Sequence, residues 1–94
     1  MLFNADRRKN RERRGTPRTA ASGRVTVWFD NPERTTVEAE WVETSATGFR
    51  LAHDSTAIEP GLEISYEGAH GRGRARVIWT HVLEGRRVSG FVTL

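Results

Sequence analysis

Short β-branched and aromatic runs separated by turn residues begin after Gly23 and continue to the C-terminus, and inside several of them apolar and polar positions alternate. Val25, Val27 and Phe29 share one side of their run, and Val37, Ala39 and Trp41 share one side of the next, with Glu38 and Glu40 opposite. Leu62, Ile64 and Tyr66 set against Glu63, Ser65 and Glu67 form the cleanest case. A period of two puts one set of side chains on each face of a strand, so the apolar set faces a core and the polar set faces water. The pattern predicts six strands, over residues 24–29, 36–42, 49–53, 62–66, 74–83 and 88–94. Asp30-Asn31-Pro32, Gly48, Pro60-Gly61, residues 68–73 and Glu84-Gly85 supply the reversals, Pro60-Gly61 fitting the central positions of a type II turn. Six strands with short reversals and no long helix predict an all-β fold, a six-stranded antiparallel barrel whose closure removes exposed edges. A β-sandwich is the alternative arrangement of the same strands.

Residues 1–22 carry no such period. They are polar and charged, and they are expected to form a flexible basic N-terminal arm ahead of a barrel domain at 23–94. A short helix over residues 5–13 suits their Arg, Lys and Glu content but has no apolar face to dock. The formal charge of +3 conceals an asymmetry: residues 1–24 hold eight basic groups against Asp6 and Glu12, whereas residues 25–94 hold seven basic and ten acidic groups. A cationic arm on a mildly acidic body seeks anions, with nucleotide, nucleic acid or an anionic membrane as candidates, unless it is simply a solvated tail. Arginine outnumbers lysine fourteen to one, which suits planar bidentate recognition and equally reflects what a GC-rich genome produces.

At 94 residues the chain has room for one domain with a small core, which the large side chains Trp28, Trp41, Trp79, Phe29 and Phe91 are expected to fill. The absence of cysteine removes disulfides, thiol catalysis and thiolate zinc sites, and fits a cytoplasmic location. Charge from Asp6 and Arg7 onward leaves no signal-peptide core, and no apolar run approaches the ~20 residues of a spanning helix, so membrane insertion is not expected. His53, His70 and His81 are too scattered for a local metal motif and read as surface or rim histidines. Ser45 lacks a Gly-x-Ser-x-Gly elbow, and Gly71-Arg72-Gly73-Arg74 precedes a strand where a phosphate loop precedes a helix; the latter reads as a hairpin with an arginine-bearing outer face. Catalysis, metal and bound cofactor are therefore not expected.

Two segments carry candidate binding chemistry. Arg14-Gly15-Thr16-Pro17-Arg18 sits ahead of the first predicted strand, and Glu43-Thr44-Ser45-Ala46-Thr47-Gly48 follows the second. Arginine donates a bidentate pair to guanine O6 and N7, a contact that discriminates by about 1–3 kcal/mol. A carboxylate accepts from the guanine N–H edge, while a hydroxyl and the N–H groups of a glycine turn suit phosphate oxygens. The ordinary alternatives are solvated tail arginines, a serine capping its own turn and a turn glycine.

From about Arg11 to Leu94 the chain resembles the PilZ domains, which bind the bacterial second messenger cyclic di-GMP. That family pairs Arg-x-x-x-Arg before the first strand with Asp/Asn-x-Ser-x-x-Gly between the second and third strands of a six-stranded antiparallel barrel of split-barrel, Greek-key type. Arg14 and Arg18 match the first motif; Ser45 and Gly48 match two of the three fixed places in the second. The resemblance implies that Arg14 and Arg18 clasp guanines and phosphates, with Arg13 as an auxiliary contact. It further implies that Ser45 binds the phosphate or base region and that Gly48 permits the tight turn. Arg7 and Arg11 repeat the spacing farther from the barrel. The chain departs from the pattern twice: it has no C-terminal helix, and position 43 is Glu, which keeps the carboxylate but moves it by about one bond length, ~1.5 Å.

The resemblance implies a receptor or adaptor of second messenger signalling, in which the free arm orders over the barrel rim around cyclic di-GMP and presents a changed surface to an effector protein. The alternative, motivated by Glu43, is a divergent PilZ-like module that binds no nucleotide and acts in protein interaction. A third reading, a nucleic-acid-binding barrel, is disfavoured by the acidic body and the lack of an evident stripe of exposed aromatics, although Trp28 and Phe91 are candidates for stacking.

Overall fold

A computed structural model describes residues 18–94. Arg7, Arg11, Arg13 and Arg14, and the helix considered over residues 5–13, lie outside the described residues. Seven strands follow in order: β1 (Thr19–Ala20), β2 (Arg24–Asp30), β3 (Arg34–Thr44), β4 (Gly48–His53), β5 (Glu63–Gly68), β6 (Gly71–Leu83) and β7 (Arg86–Thr93). All pairings are antiparallel, and they run β3-β2-β5-β6-β7-β4 before β4 returns to β3, closing a six-stranded barrel. Among the described residues there is no helix, and hence none long and apolar enough to cross a membrane.

Strands β2, β3 and β4 are joined by consecutive reversals, and the connection over residues 54–62 returns β5 to lie beside β2. This is the Greek-key step. The alternation behaves as expected: Val25, Val27 and Phe29 are buried, as are Ala39, Trp41, Ile64 and Tyr66, while Glu38, Glu40, Glu63 and Glu67 face solvent. Ile58, carried by the crossover, is buried with them. Each large apolar side chain withdrawn in this way stabilises the fold by about 1.5–3 kcal/mol. The centre is aromatic, with Phe49 at 4.6 Å from Tyr66, 5.0 Å from Phe91 and 5.2 Å from Trp41 between ring centroids.

Four expectations are corrected. The arm does not remain free up to residue 22, because Thr19 and Ala20 pair with Thr44 and Glu43 as the short strand β1. Trp28 is half-buried on the outer face, since it has the opposite parity to Val27 and Phe29. Trp79 has the parity of the buried Ala75 and Val77, but a bulge between Val77 and Trp79 shifts the register and turns the indole outward. A bulge inserts one residue and so reverses which face the following side chains occupy. His53 is no rim residue: it is fully buried, with 0% of its surface exposed.

The His53 imidazole is built into a hydrogen-bond chain. Ser55 N–H donates to Nδ1 at 3.1 Å, which leaves the ring proton on Nε2 to donate to Ser89 Oγ at 2.8 Å. Ser89 lies 2.6 Å from Thr80 Oγ1, and Thr80 donates to the Ile58 carbonyl at 3.0 Å, so the chain runs one way from β4 through β7 and β6 to the crossover. Burial, followed by the nearby Arg87, holds the His53 pKa below the ordinary imidazole value; Arg86 adds to this and Asp54 opposes it. The other two histidines are exposed as expected, His70 donating to the Ser22 carbonyl at 2.8 Å and His81 stacking on Trp79.

Candidate functional site

At the opposite end of β4 from His53, the β3–β4 turn and the neighbouring part of β7 enclose a pocket of about 210 Å³. Ser45 to Gly48 make the turn: Ser45 N–H donates to the Gly48 carbonyl at 2.9 Å, and the Ser45 hydroxyl donates to the same oxygen at 3.3 Å. Thr47 N–H donates back to Ser45 Oγ at 3.4 Å. The Ser45 hydroxyl thus caps its own turn. Thr93 N–H and its hydroxyl both donate to the Thr47 carbonyl, tying the turn to the end of β7.

Gly48 is required for a different reason from the one expected. Its φ is not in the left-handed region; it pairs with Val92, and a Cβ at this position would stand 2.0 Å from the Phe91 carbonyl oxygen. The backbone of β7 occupies the space that a side chain needs. Gly90, two positions back along the same strand, is bare for the benefit of Trp79: a Cβ there would lie 2.4 Å from the indole. The ring consequently lies over Gly90 and forms a flat wall of the pocket.

Charge is supplied by Glu43, Arg50 and Arg18. A second bulge, between Trp41 and Glu43, re-registers β3 so that Glu43 pairs directly with Arg50 of β4. Arg50 Nε lies 3.0 Å from Glu43 Oε1, and its guanidinium sits over the Trp79 ring, 5.2 Å from the ring centroid. On the other side of β3, β1 brings Arg18 NH1 to 3.6 Å from the same carboxylate oxygen. The Glu43 side chain is one-quarter exposed.

Of the residues singled out by sequence, Arg18, Glu43, Ser45 and Gly48 line one pocket. Arg13 and Arg14 lie outside the described residues. Trp79 and Arg50 join them without having been foreseen as site residues. Arg50 falls two places after Gly48, opposite in phase to Phe49 and Leu51, which marks it as facing away from the core; its pairing with Glu43 follows only from the bulge. The arginine-bearing hairpin is occupied in another way, since Arg74 and Arg76 donate to the two oxygens of Glu63 at 2.7 and 2.8 Å. The Arg76 hydrogen bond is the main cause that holds the Glu63 carboxyl below its ordinary range.

Two guanidinium groups, the Glu43 carboxylate, a hydroxyl that caps its own turn and an indole covered by Arg50 therefore line one concavity. The two guanidinium groups suit a ligand with an anionic group. No protein-family model matches the sequence, and no curated protein matches it.

Proposed function

We propose that the protein is a PilZ-like receptor for cyclic di-GMP, binding it at the rim of the barrel between Arg18 and the 45–48 turn. The observation that carries this reading is the convergence of Arg18, Ser45 and Gly48, drawn from two separated motifs, on one pocket. Arg18 and Arg50 supply charge for phosphate and guanidinium donors for a guanine edge, and Trp79 backs Arg50 from behind. Arg14, four places before Arg18, and Arg13 belong to the arm that closes over the ligand in this reading. The receptor acts through binding: its arm orders over the rim, and an effector protein reads the altered surface.

Calorimetric titration of the full chain with cyclic di-GMP, with GTP and cyclic di-AMP as controls, tests the proposal. Saturable heat with cyclic di-GMP alone is expected. No heat at high ligand concentration, or equal heat from all three, removes it. A second reading, a barrel of the same kind that binds no nucleotide and serves in protein interaction, is favoured by one observation: the Glu43 carboxylate already engages Arg50 and Arg18. Under that reading Glu43→Asp gains cyclic di-GMP binding that the native chain lacks.

A further inference from the structure

We infer that Glu43 is an internal counter-ion with which an incoming anion must compete for Arg18 and Arg50, and so sets the threshold for ligand binding. The inference rests on the reading of this pocket as an anion site, and gives Glu43 a role other than accepting guanine N–H groups. Both ion pairs are made by the same oxygen, Oε1, at 3.0 Å from Arg50 and 3.6 Å from Arg18. The pocket thus presents two positive charges partly cancelled by one negative charge placed between them.

The two arginines are held unequally. Arg50 is gripped on both sides, by the carboxylate and by the Trp79 face, whereas Arg18 hangs from the two-residue strand β1 with over half of its side chain exposed. An exposed ion pair of this kind is weak and screened by salt. Arg18 is therefore the group that exchanges first from carboxylate to ligand, with Arg50 remaining as a fixed anchor. A phosphate brought into this space approaches the Glu43 carboxylate as well as the guanidinium groups, so the repulsion is part of every anion's binding free energy. Ligands that make many contacts elsewhere in the pocket offset it, whereas small anions bind weakly against it. The counter-ion in this way raises the contact that any anion must make before it binds.

The test compares the native full chain with Glu43→Gln, which keeps the shape and removes the charge, at low ionic strength. Inorganic pyrophosphate is the first probe and cyclic di-GMP the second, with the Arg Nε–H signals followed by NMR. Glu43→Gln is expected to bind pyrophosphate about fivefold more tightly than the native chain, the scale set by one charge removed at contact distance in a largely aqueous site. The Arg50 Nε–H signal should shift on the Gln substitution itself. Equal or weaker pyrophosphate binding by Glu43→Gln, or no pyrophosphate binding by either form, overturns the inference. Failure of both forms to bind cyclic di-GMP, with the pyrophosphate result as expected, removes the receptor reading and leaves the counter-ion. Tight cyclic di-GMP binding by the native chain that Glu43→Gln loses supports the receptor and overturns the counter-ion.

Discussion

The two ends of β4 are built from the same pairing and arrive at opposite chemistry. At Gly48 the strand meets Val92 with no side chain between the backbones, and a half-exposed cluster of Arg18, Glu43 and Arg50 stands around an open pocket. At His53 it meets Arg87, and the polar groups form a closed series in which donors and acceptors are matched from Ser55 to Ile58. Buried polar groups in such a chain hold a structure in place, because each loses its partner's compensation if one member leaves. Half-exposed ion pairs cost little to rearrange. One end is suited to support and the other to exchange.

Substitutions should separate the ends in order of severity. Gly48→Val drives a side chain into the Phe91 carbonyl and is expected to destabilise by about 3 kcal/mol or more, seen as a large drop in the denaturant midpoint. His53→Leu leaves Ser55 N–H and Ser89 without their partner and should cost about 2–3 kcal/mol by the same measurement, while leaving the 45–48 turn intact in NMR spectra. A loss below about 0.5 kcal/mol would mean that the hydrogen-bond chain is not a structural support.

Mild acidification should act on the His53 end. The folded imidazole resists protonation while the unfolded chain takes up its proton near the ordinary value of 6.5. Below that value the unfolded state binds more protons than the folded state, so stability falls as pH falls. The contribution is complete above 6.5 and is lost progressively down through the folded pKa. Urea midpoints measured between about pH 7.5 and pH 5 should show this slope in the native chain and lose part of it in His53→Leu. The smallest effect belongs to the other end: Arg18→Ala should change stability by less than about 1 kcal/mol, because its ion pair is largely solvated, while weakening pyrophosphate binding.

The barrel was legible because its strands keep strict alternation, as in Val25-Val27-Phe29 and Leu62-Ile64-Tyr66, and because turn residues mark most reversals. What parity could not show lies beside the two bulges. Trp79 and Glu43 both continue an inward parity in sequence, and each sits where an inserted residue re-aims the chain. Trp28 was legible and misjudged, since its size outweighed its outward phase. His53 was legible too, sharing the phase of Phe49 and Leu51, but a titratable side chain is assigned to the surface unless its partners are known. Those partners, Ser89 and Thr80, are 36 and 27 positions away. Arg18 and the 45–48 turn were named from motif spacing; β1, which joins them, is too short to leave a pattern.

The seam between β4 and β7 also has a kinetic meaning. Phe49 and Phe91 pair across 42 positions, whereas β3 with β4 and β6 with β7 are neighbours along the chain. Local hairpins can form before the long loop between them is closed, and closing such loops slows β-proteins into the millisecond-to-second range. The pocket and the histidine chain both need that closure, so neither exists in a chain whose β3–β4 and β6–β7 hairpins have formed without it.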